Sequence, residues 1–268
     1  MLKRIFSRFK KPSPKRIDSP LSPFVDNDQI LATRCMRLGT EYGGWNIPID
    51  INLDKTSHCI SAGAGEDISF DCELASKFNC TIHIIDPTPR AIDHFNNLYN
   101  AVISGKRFPI NNSKSLFYNI DERHLKQIKL YPFGIAHEDA KMKFYLPKNE
   151  EHVSCSTVNL QKTERFFSAT CYKLSSIKKK LGIENIALLK MDIEGAEYGV
   201  IRNIIEEDQL PNVLCIEFDE GHTPLDSGYA DRISHSISLL KKAGMCCVYI
   251  EGCNATFIKN KNHTKNQR

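Results

Sequence analysis

The stretch that most constrains this chain is Ser61-Ala62-Gly63-Ala64-Gly65-Glu66-Asp67, with Asp86 about twenty residues further on. The apolar pair Cys59-Ile60 precedes it. A helical pattern follows, with Ile68, Cys72 and Ala75 on one line and Phe70, Leu74 and Phe78 beside it. Thr81-Ile82-His83-Ile84-Ile85 then reads as a second strand ending in Asp86. Strand, glycine turn, helix, strand and acid make the front end of a nucleotide-binding βαβ unit. Glycine permits backbone angles closed to other residues, and its missing side chain lets a ligand approach the main chain. An acid at the tip of the second strand can accept hydrogen bonds from both hydroxyls of a ribose.

The rest of the chain continues the alternation. A helix is expected from Pro89, a favoured first-turn residue, to about residue 100. Residues 104–127 are polar and carry no clear period. Residues 128–133 read as a third strand, and 142–146 as a strand that pairs nearby. Residues 148–165 form an irregular excursion around Val153-Ser154-Cys155-Ser156-Thr157, followed by a strand near 168–173 and a helix with Leu174, Ile177 and Leu181 on one face. Ile186-Ala187-Leu188-Leu189-Lys190-Met191-Asp192-Ile193 is nearly continuous in apolar residues, which suits a central parallel strand covered on both faces. It runs into Glu194-Gly195-Ala196-Glu197 and a helix with Val200, Ile201, Ile204 and Ile205 inward. Residues 213–218 are a further buried strand, with Asp219, Glu220 and His222 just beyond. A helix through Ile233, Ile237 and Leu240 stops at Gly244, and 246–250 with 255–258 close the fold as an antiparallel pair. This order predicts an α/β, doubly wound sheet whose ligands lie over the carboxyl ends of the strands. Asp67, Asp86, Asp192 and Asp219 all stand at or just past such ends.

Length and charge set the surroundings. The 268 residues suffice for a substantial core, and 41% hydrophobic with 25% charged residues is ordinary for a globular chain. The net charge of +4 is local: Lys3, Arg4, Arg8, Lys10, Lys11, Lys15 and Arg16 leave a slightly acidic body, with no nucleic-acid footprint. Residues 1–25 therefore read as a basic, Pro-rich arm, broken at Lys11-Pro12-Ser13-Pro14 and Ser19-Pro20-Leu21-Ser22-Pro23. With Leu2, Ile5, Phe6 and Phe9 among its bases, the arm either tails freely or makes a peripheral contact with an anionic membrane. Residues 26–259 form the main domain with an N-terminal extension, and 260–268 a tail. Within the extension, Tyr42-Gly43-Gly44-Trp45 looks like a hairpin bringing the single tryptophan to a surface, where packing is its commoner use. No run is apolar enough to span a bilayer and no secretory signal is read, so a cytoplasmic setting is expected, peripheral at most to the inner membrane face. The ten cysteines show no CxxC pair and no metal spacing.

Gly63-Ala64-Gly65-Glu66-Asp67-Ile68-Ser69-Phe70-Asp71, Asp86-Pro87-Thr88-Pro89 and Leu189-Lys190-Met191-Asp192-Ile193-Glu194-Gly195-Ala196-Glu197-Tyr198 together resemble the FkbM family of S-adenosylmethionine-dependent methyltransferases. Gly43-Gly44-Trp45 and Val153-Ser154-Cys155-Ser156 are similar to weaker pieces of the same pattern. The resemblance implies a Rossmann-like class I methyltransferase fold, a seven-stranded, mostly parallel sheet with a C-terminal antiparallel hairpin. It implies O-methylation, usually of hydroxyls on sugars, glycans or secondary metabolites. Gly63, Ala64, Gly65, Glu66, Asp67, Asp86, Thr88 and Asp192 are the expected contacts of S-adenosyl-L-methionine. The chain departs from the pattern at Ser61, where many class I enzymes have an acid, and at Asp67, where many have a third glycine. It departs again at Glu217-Phe218-Asp219-Glu220, where a branch of the family reads Glu-Phe-His-His. On that departure, a catalytically silent cofactor-binding module is the alternative.

For methyl transfer to an alcohol, a nucleophile must be aligned and its proton removed. Asp192 is the first candidate for that work, with Glu194 and His222 behind it. Glu194 has a second reading, as an acid near the amino end of the following helix. A divalent cation is admitted but not expected. Its ligands would be Asp192, Asp219 and His222, and no metal site is assigned. A nicotinamide-dependent oxidoreductase is the less favoured enzyme class, because Ile68 stands where its turn needs another glycine.

Overall fold

The computed structural model describes residues 19–25, 30, 32–111, 113–149, 154–160 and 162–260. In chain order the strands are β1 (Cys35–Leu38), β2 (Trp45–Pro48), β3 (His58–Ala62), β4 (Thr81–Ile85), β5 (Ile128–Tyr131), β6 (Gly134–Ile135), β7 (Ala140–Tyr145), β8 (Phe166–Tyr172), β9 (Leu188–Met191), β10 (Val213–Glu217), β11 (Met245–Glu251) and β12 (Asn254–Lys259). The helices between them are α1 (Ser69–Phe78), α2 (Pro89–Ile103), α3 (Glu122–Leu125), α4 (Leu174–Leu181), α5 (Glu197–Glu206) and α6 (Tyr229–Lys242).

Seven strands form one sheet in the order β11-β12-β10-β9-β3-β4-β5. From β10 to β5 all neighbours are parallel, and β12 is antiparallel to both β10 and β11. The order reverses between β3 and β9, so the crevice that such a sheet offers a ligand opens beside Gly63 and Asp192. The apolar runs divide by strand period. Ile60, Leu189 and Leu214 face one core with α4, α5 and α6, while Cys59, Leu188 and Cys215 face the other with α1 and α2. Because helices cover both faces, these strands carry almost no polar alternation. The expected class I architecture is present. A separate sheet of β6, β8 and β7 lies in the sequence between β5 and β9.

Several sequence expectations need correction. The arm does not extend to residue 25: residues 19–24 are part of the body. Leu21 is fully buried in the core with α6, and the Ser19 hydroxyl donates to the Gly252 carbonyl at 2.6 Å. A short 3₁₀ turn, Ser22–Phe24, follows, and Lys241 donates to the Phe24 carbonyl. The basic segment 1–18 and the tail 261–268 lie outside the described residues. Trp45 reaches no surface. Paired in the β1–β2 hairpin, it is 4% exposed among Leu38, Ile68 and Phe70. None of the ten cysteines is in a disulfide. Among the described residues no helix is long and apolar enough to cross a membrane.

Leu21→Ala removes a fully buried side chain and should cost about 2–4 kcal/mol in chemical unfolding, whereas a free linker at this position would show no change. His83, buried on β4, lies 3.1 Å from His58 and 3.4 Å from the Tyr131 hydroxyl. Burial, with His58 and Lys129 nearby, pushes its imidazole down to about 4 from 6.5. The neutral ring is favoured in the folded state, so its contribution is present above pH 6.5 and is lost as pH falls toward about 4. His83→Gln should lose less stability than the wild type across that window, by on the order of 1 kcal/mol. Parallel stability–pH curves for the two proteins would contradict this.

Candidate active site

The glycine turn leaves β3 against the end of β9. Gly63 has φ +78°, and a β-carbon there would stand 1.7 Å from the Asp192 carbonyl oxygen. The residue must be glycine because two chain segments meet at that point, before any ligand is considered. Asp192 in turn donates its backbone N–H to Ala62. Lys190, buried in β9, sends its ammonium to the Gly63 carbonyl, 3.6 Å from Asp192 and 5.8 Å from the Trp45 ring centre. One cation thus joins the glycine turn, the tip of β9 and the N-terminal hairpin.

The acids of the turn have structural work. Asp86, 3% exposed, accepts from Ala64 and Gly65 N–H on one oxygen and from the Thr88 N–H and hydroxyl on the other. Those four bonds match the acceptor capacity of a carboxylate, so a ribose would have to displace Thr88 to reach it. Asp67 accepts from Thr40, Asn111 and the Ser69 N–H, fastening the hairpin loop to the turn. Glu66 pairs with Arg90 at 2.6 Å.

After β9 the chain makes a strained corner. Glu194 has φ +58° and Gly195 φ +93°. Three contacts hold it: Glu197 accepts from both Ile193 and Gly195 N–H, Ser156 donates to the Glu194 carbonyl, and Leu160 closes over Gly195. Strain of this kind persists only where surrounding contacts over-determine it. The amino-end role that the sequence allows Glu194 belongs to Glu197, whose carboxylate is fully buried. Glu194 itself lines a cavity.

That cavity, about 470 Å³, lies over the carboxyl ends of β3, β4, β9 and β10. Gly63, Ala64, Gly65, Glu66, Asp67, Asp86 and Thr88 form one wall, and Ile135 with Phe144 an apolar patch. Asp192, Glu194, Glu217 and Asp219 line it as well, as does Tyr42, 74% exposed. The structure therefore brings together every residue expected at the site. His222 also lines the cavity, its ring 3.5 Å from Glu217 and largely exposed, but it is not among the groups whose ligand atoms converge around Asp192. The grouping Asp192, Asp219 and His222 is accordingly corrected to Asp192, Glu194 and Asp219, whose oxygens lie within 4.8 Å of one another.

Burial dominates the electrostatics, and acidic neighbours add to it. Burial, with Asp192 and Glu194 beside it, pushes the Glu217 carboxyl up to about 8. Burial pushes Glu197 up to about 7. Glu194 is raised by burial and by Asp192, and Asp219 is raised well above the usual range by burial and its acidic neighbours. Lys190, Glu197 and Glu217 are the functional residues that sequence reasoning missed. The signal for Lys190 was its place as the single charge inside an apolar run next to Asp192.

The family model described as the methyltransferase FkbM domain matches residues 61–244. No curated protein matches the chain. Among solved structures, precorrin-6y C5,15-methyltransferase from Geobacter metallireducens GS-15 is 10% identical over 78% of this chain and 83% of its own, with a TM-score of 0.38. Fibrillarin from Aeropyrum pernix, with natively bound S-adenosyl-L-methionine, is 10% identical over 85% and 82%, TM-score 0.38. An O-methyltransferase family protein from Burkholderia thailandensis is 9% identical over 77% and 52%, TM-score 0.37. At such TM-scores these likenesses decide nothing about the chain.

Gly63→Ala should destabilise the protein by on the order of 3 kcal/mol, because the new methyl group meets backbone it cannot displace cheaply. Thermal unfolding is the check, and an unchanged melting temperature would show that the two segments do not meet as described.

Proposed function

The chain belongs to the FkbM family of methyltransferases, and from that premise we propose that it transfers methyl to a hydroxyl of a sugar, glycan or secondary metabolite. Methyl transfer from S-adenosylmethionine is the family's activity and this chain's. The hydroxyl acceptor is the further step, and one observation carries it: the carboxyl groups of Asp192, Glu194, Glu217 and Asp219 line the same cavity as the glycine turn. A wall of acceptors suits a partner rich in O–H donors.

The residues present fit the cofactor. S-adenosylmethionine is positive at its sulfur and at its ammonium, and a cation bound beside Asp192, Glu194, Glu217 and Asp219 would favour their ionised, complementary form. Ile135 and Phe144 offer an apolar surface for its base, and Gly63, Ala64 and Gly65 a main chain without bulk. Glu66, Asp67, Asp86 and Thr88 complete that half, Asp86 chiefly by holding the turn in shape. Bound there, the cofactor supplies a methyl group already made electrophilic by the positive sulfur.

The chain supplies alignment and proton removal. Asp192, partly exposed just past the tip of the central strand, lines the cavity beside the glycine turn. It receives the acceptor's hydroxyl proton, and Lys190 holds its side chain in place. Glu194 and His222 orient the acceptor from either side. Such an enzyme works in the cytoplasm on a small-molecule or glycan acceptor, with no nucleic-acid partner, and the basic segment 1–18 would bring it to an anionic membrane face.

Two measurements test this reading. Calorimetry should show binding of S-adenosylhomocysteine and none of nicotinamide dinucleotides. Asp192→Asn preserves size but removes charge and most basicity, so turnover should fall about a hundredfold while cofactor affinity changes far less. Acceptors are found by mass spectrometry of metabolites and glycans that lose one methyl group on deletion. Cofactor binding without any methylated acceptor would instead support the silent module, and wild-type turnover in Asp192→Asn would remove Asp192 from the chemistry.

A further inference from the structure

We propose that Asp192, Glu194 and Asp219 bind one divalent cation of the hard, oxygen-seeking class, such as magnesium or manganese. Their carboxylate oxygens converge within 4.8 Å of one another, from the tip of β9 and the turn after β10. An all-oxygen donor set without imidazole or thiolate selects such ions over zinc or copper.

A cluster of acids alone would be weak support, since acids gather over many sheets. The second observation is Asp219. It is 8% exposed and lines the cavity, and its Oδ2 meets no hydrogen-bond donor. The groups within its reach are Glu194 and Glu197, themselves carboxylates. Glu197 is fully buried, and its Oε2 lacks a donor as well. Carboxyl groups within hydrogen-bonding reach of one another need a positive charge between them, either a proton or a metal ion. Lys190 does not fill that place, because its ammonium is engaged by the Gly63 carbonyl and reaches Asp192 alone among the three.

The corner that carries two of the ligands is already built. Glu194 is held in its left-handed conformation by the Ser156 contact, and Glu197 clamps the N–H groups on either side of it. Asp192 and Glu194 are therefore carried on a braced main chain, which lowers the ordering cost of binding an ion there. Asp192, about one-third exposed, leaves the ion a route from the cavity. The use of the ion rests on the hydroxyl-acceptor reading above. A cation beside Asp192 would hold the acceptor oxygen and ease loss of its proton. Its binding does not rest on that reading.

The experiment titrates the full-length, chelator-treated protein with Mn²⁺ and follows the free-ion signal by electron paramagnetic resonance. One Mn²⁺ per chain is expected, displaced by excess Mg²⁺. Asp219→Asn should weaken binding at least tenfold, while the exposed-surface variant Glu122→Gln binds as the wild type does. Should Asp219→Asn fail to fold by circular dichroism, Glu194→Gln carries the same expectation. No stoichiometric Mn²⁺ binding up to about 1 mM, the weak end of protein cation sites, would overturn the proposal and assign protons to the cluster. Mn²⁺ affinity unchanged in both variants would overturn it equally. S-adenosylhomocysteine calorimetry run in parallel separates the two claims. Cofactor binding without Mn²⁺ leaves the methyltransferase reading intact and removes the ion, whereas Mn²⁺ binding without cofactor does the reverse.

Discussion

The buried ammonium of Lys190 is the contact on which the rest of the site depends. It sits inside the central strand, where burial of an unpaired charge would be strongly unfavourable. Its partners are the Gly63 carbonyl, the Asp192 carboxylate and the face of Trp45. Each partner belongs to a different part of the chain: the cofactor turn, the acidic corner and the N-terminal hairpin. Satisfying one cation therefore fixes the relative position of three segments that sequence leaves independent. Cation–aromatic contact of this kind gains strength when it is desolvated, as it is beneath the hairpin.

Around that cation the protein gathers more negative charge than it neutralises. Asp192, Glu194, Glu217 and Asp219 line the cavity, with Glu197 buried behind them. Burial, with mutual repulsion added to it, pushes several of these carboxyls upward. Such crowding costs stability, and proteins keep it where chemistry uses it. The backbone shows the same pattern, with left-handed geometry at Glu194 and Gly195 maintained by contacts from Ser156, Leu160 and Glu197. The irregular excursion after β7 thereby acquires a purpose: its Ser156 and Leu160 brace the corner that presents the acids.

The acids of the glycine turn show how a motif can be read correctly in place and incompletely in role. Asp86 stands at the tip of β4 as its spacing requires, yet its acceptor positions serve the turn and Thr88. Asp67, one of several candidate contacts, ties the turn to Thr40 and Asn111. A carboxylate near a ligand can act by shaping the main chain that touches it. Spacing alone does not distinguish that from direct contact.

The sequence by itself determined the doubly wound sheet, the two strand tips bearing Gly63 and Asp192, and the closing hairpin. Those features rest on local signals: apolar period, glycine where the backbone turns left-handed, and acids at fixed distances from strands. The motifs between Gly63 and Tyr198 also identified the family. Tertiary structure alone decided that Leu21 belongs to the core, that Trp45 is buried beneath the hairpin, and that Glu197 takes the amino-end role open to Glu194. It also decided which acids converge, bringing Glu194 to Asp192 and Asp219 and leaving His222 beside Glu217. The physical reason is the same in each case. Chain positions such as 21 and 252, or 190 and 63, become neighbours only when the sheet closes, and a side chain's charge environment is a sum over neighbours that linear spacing does not contain.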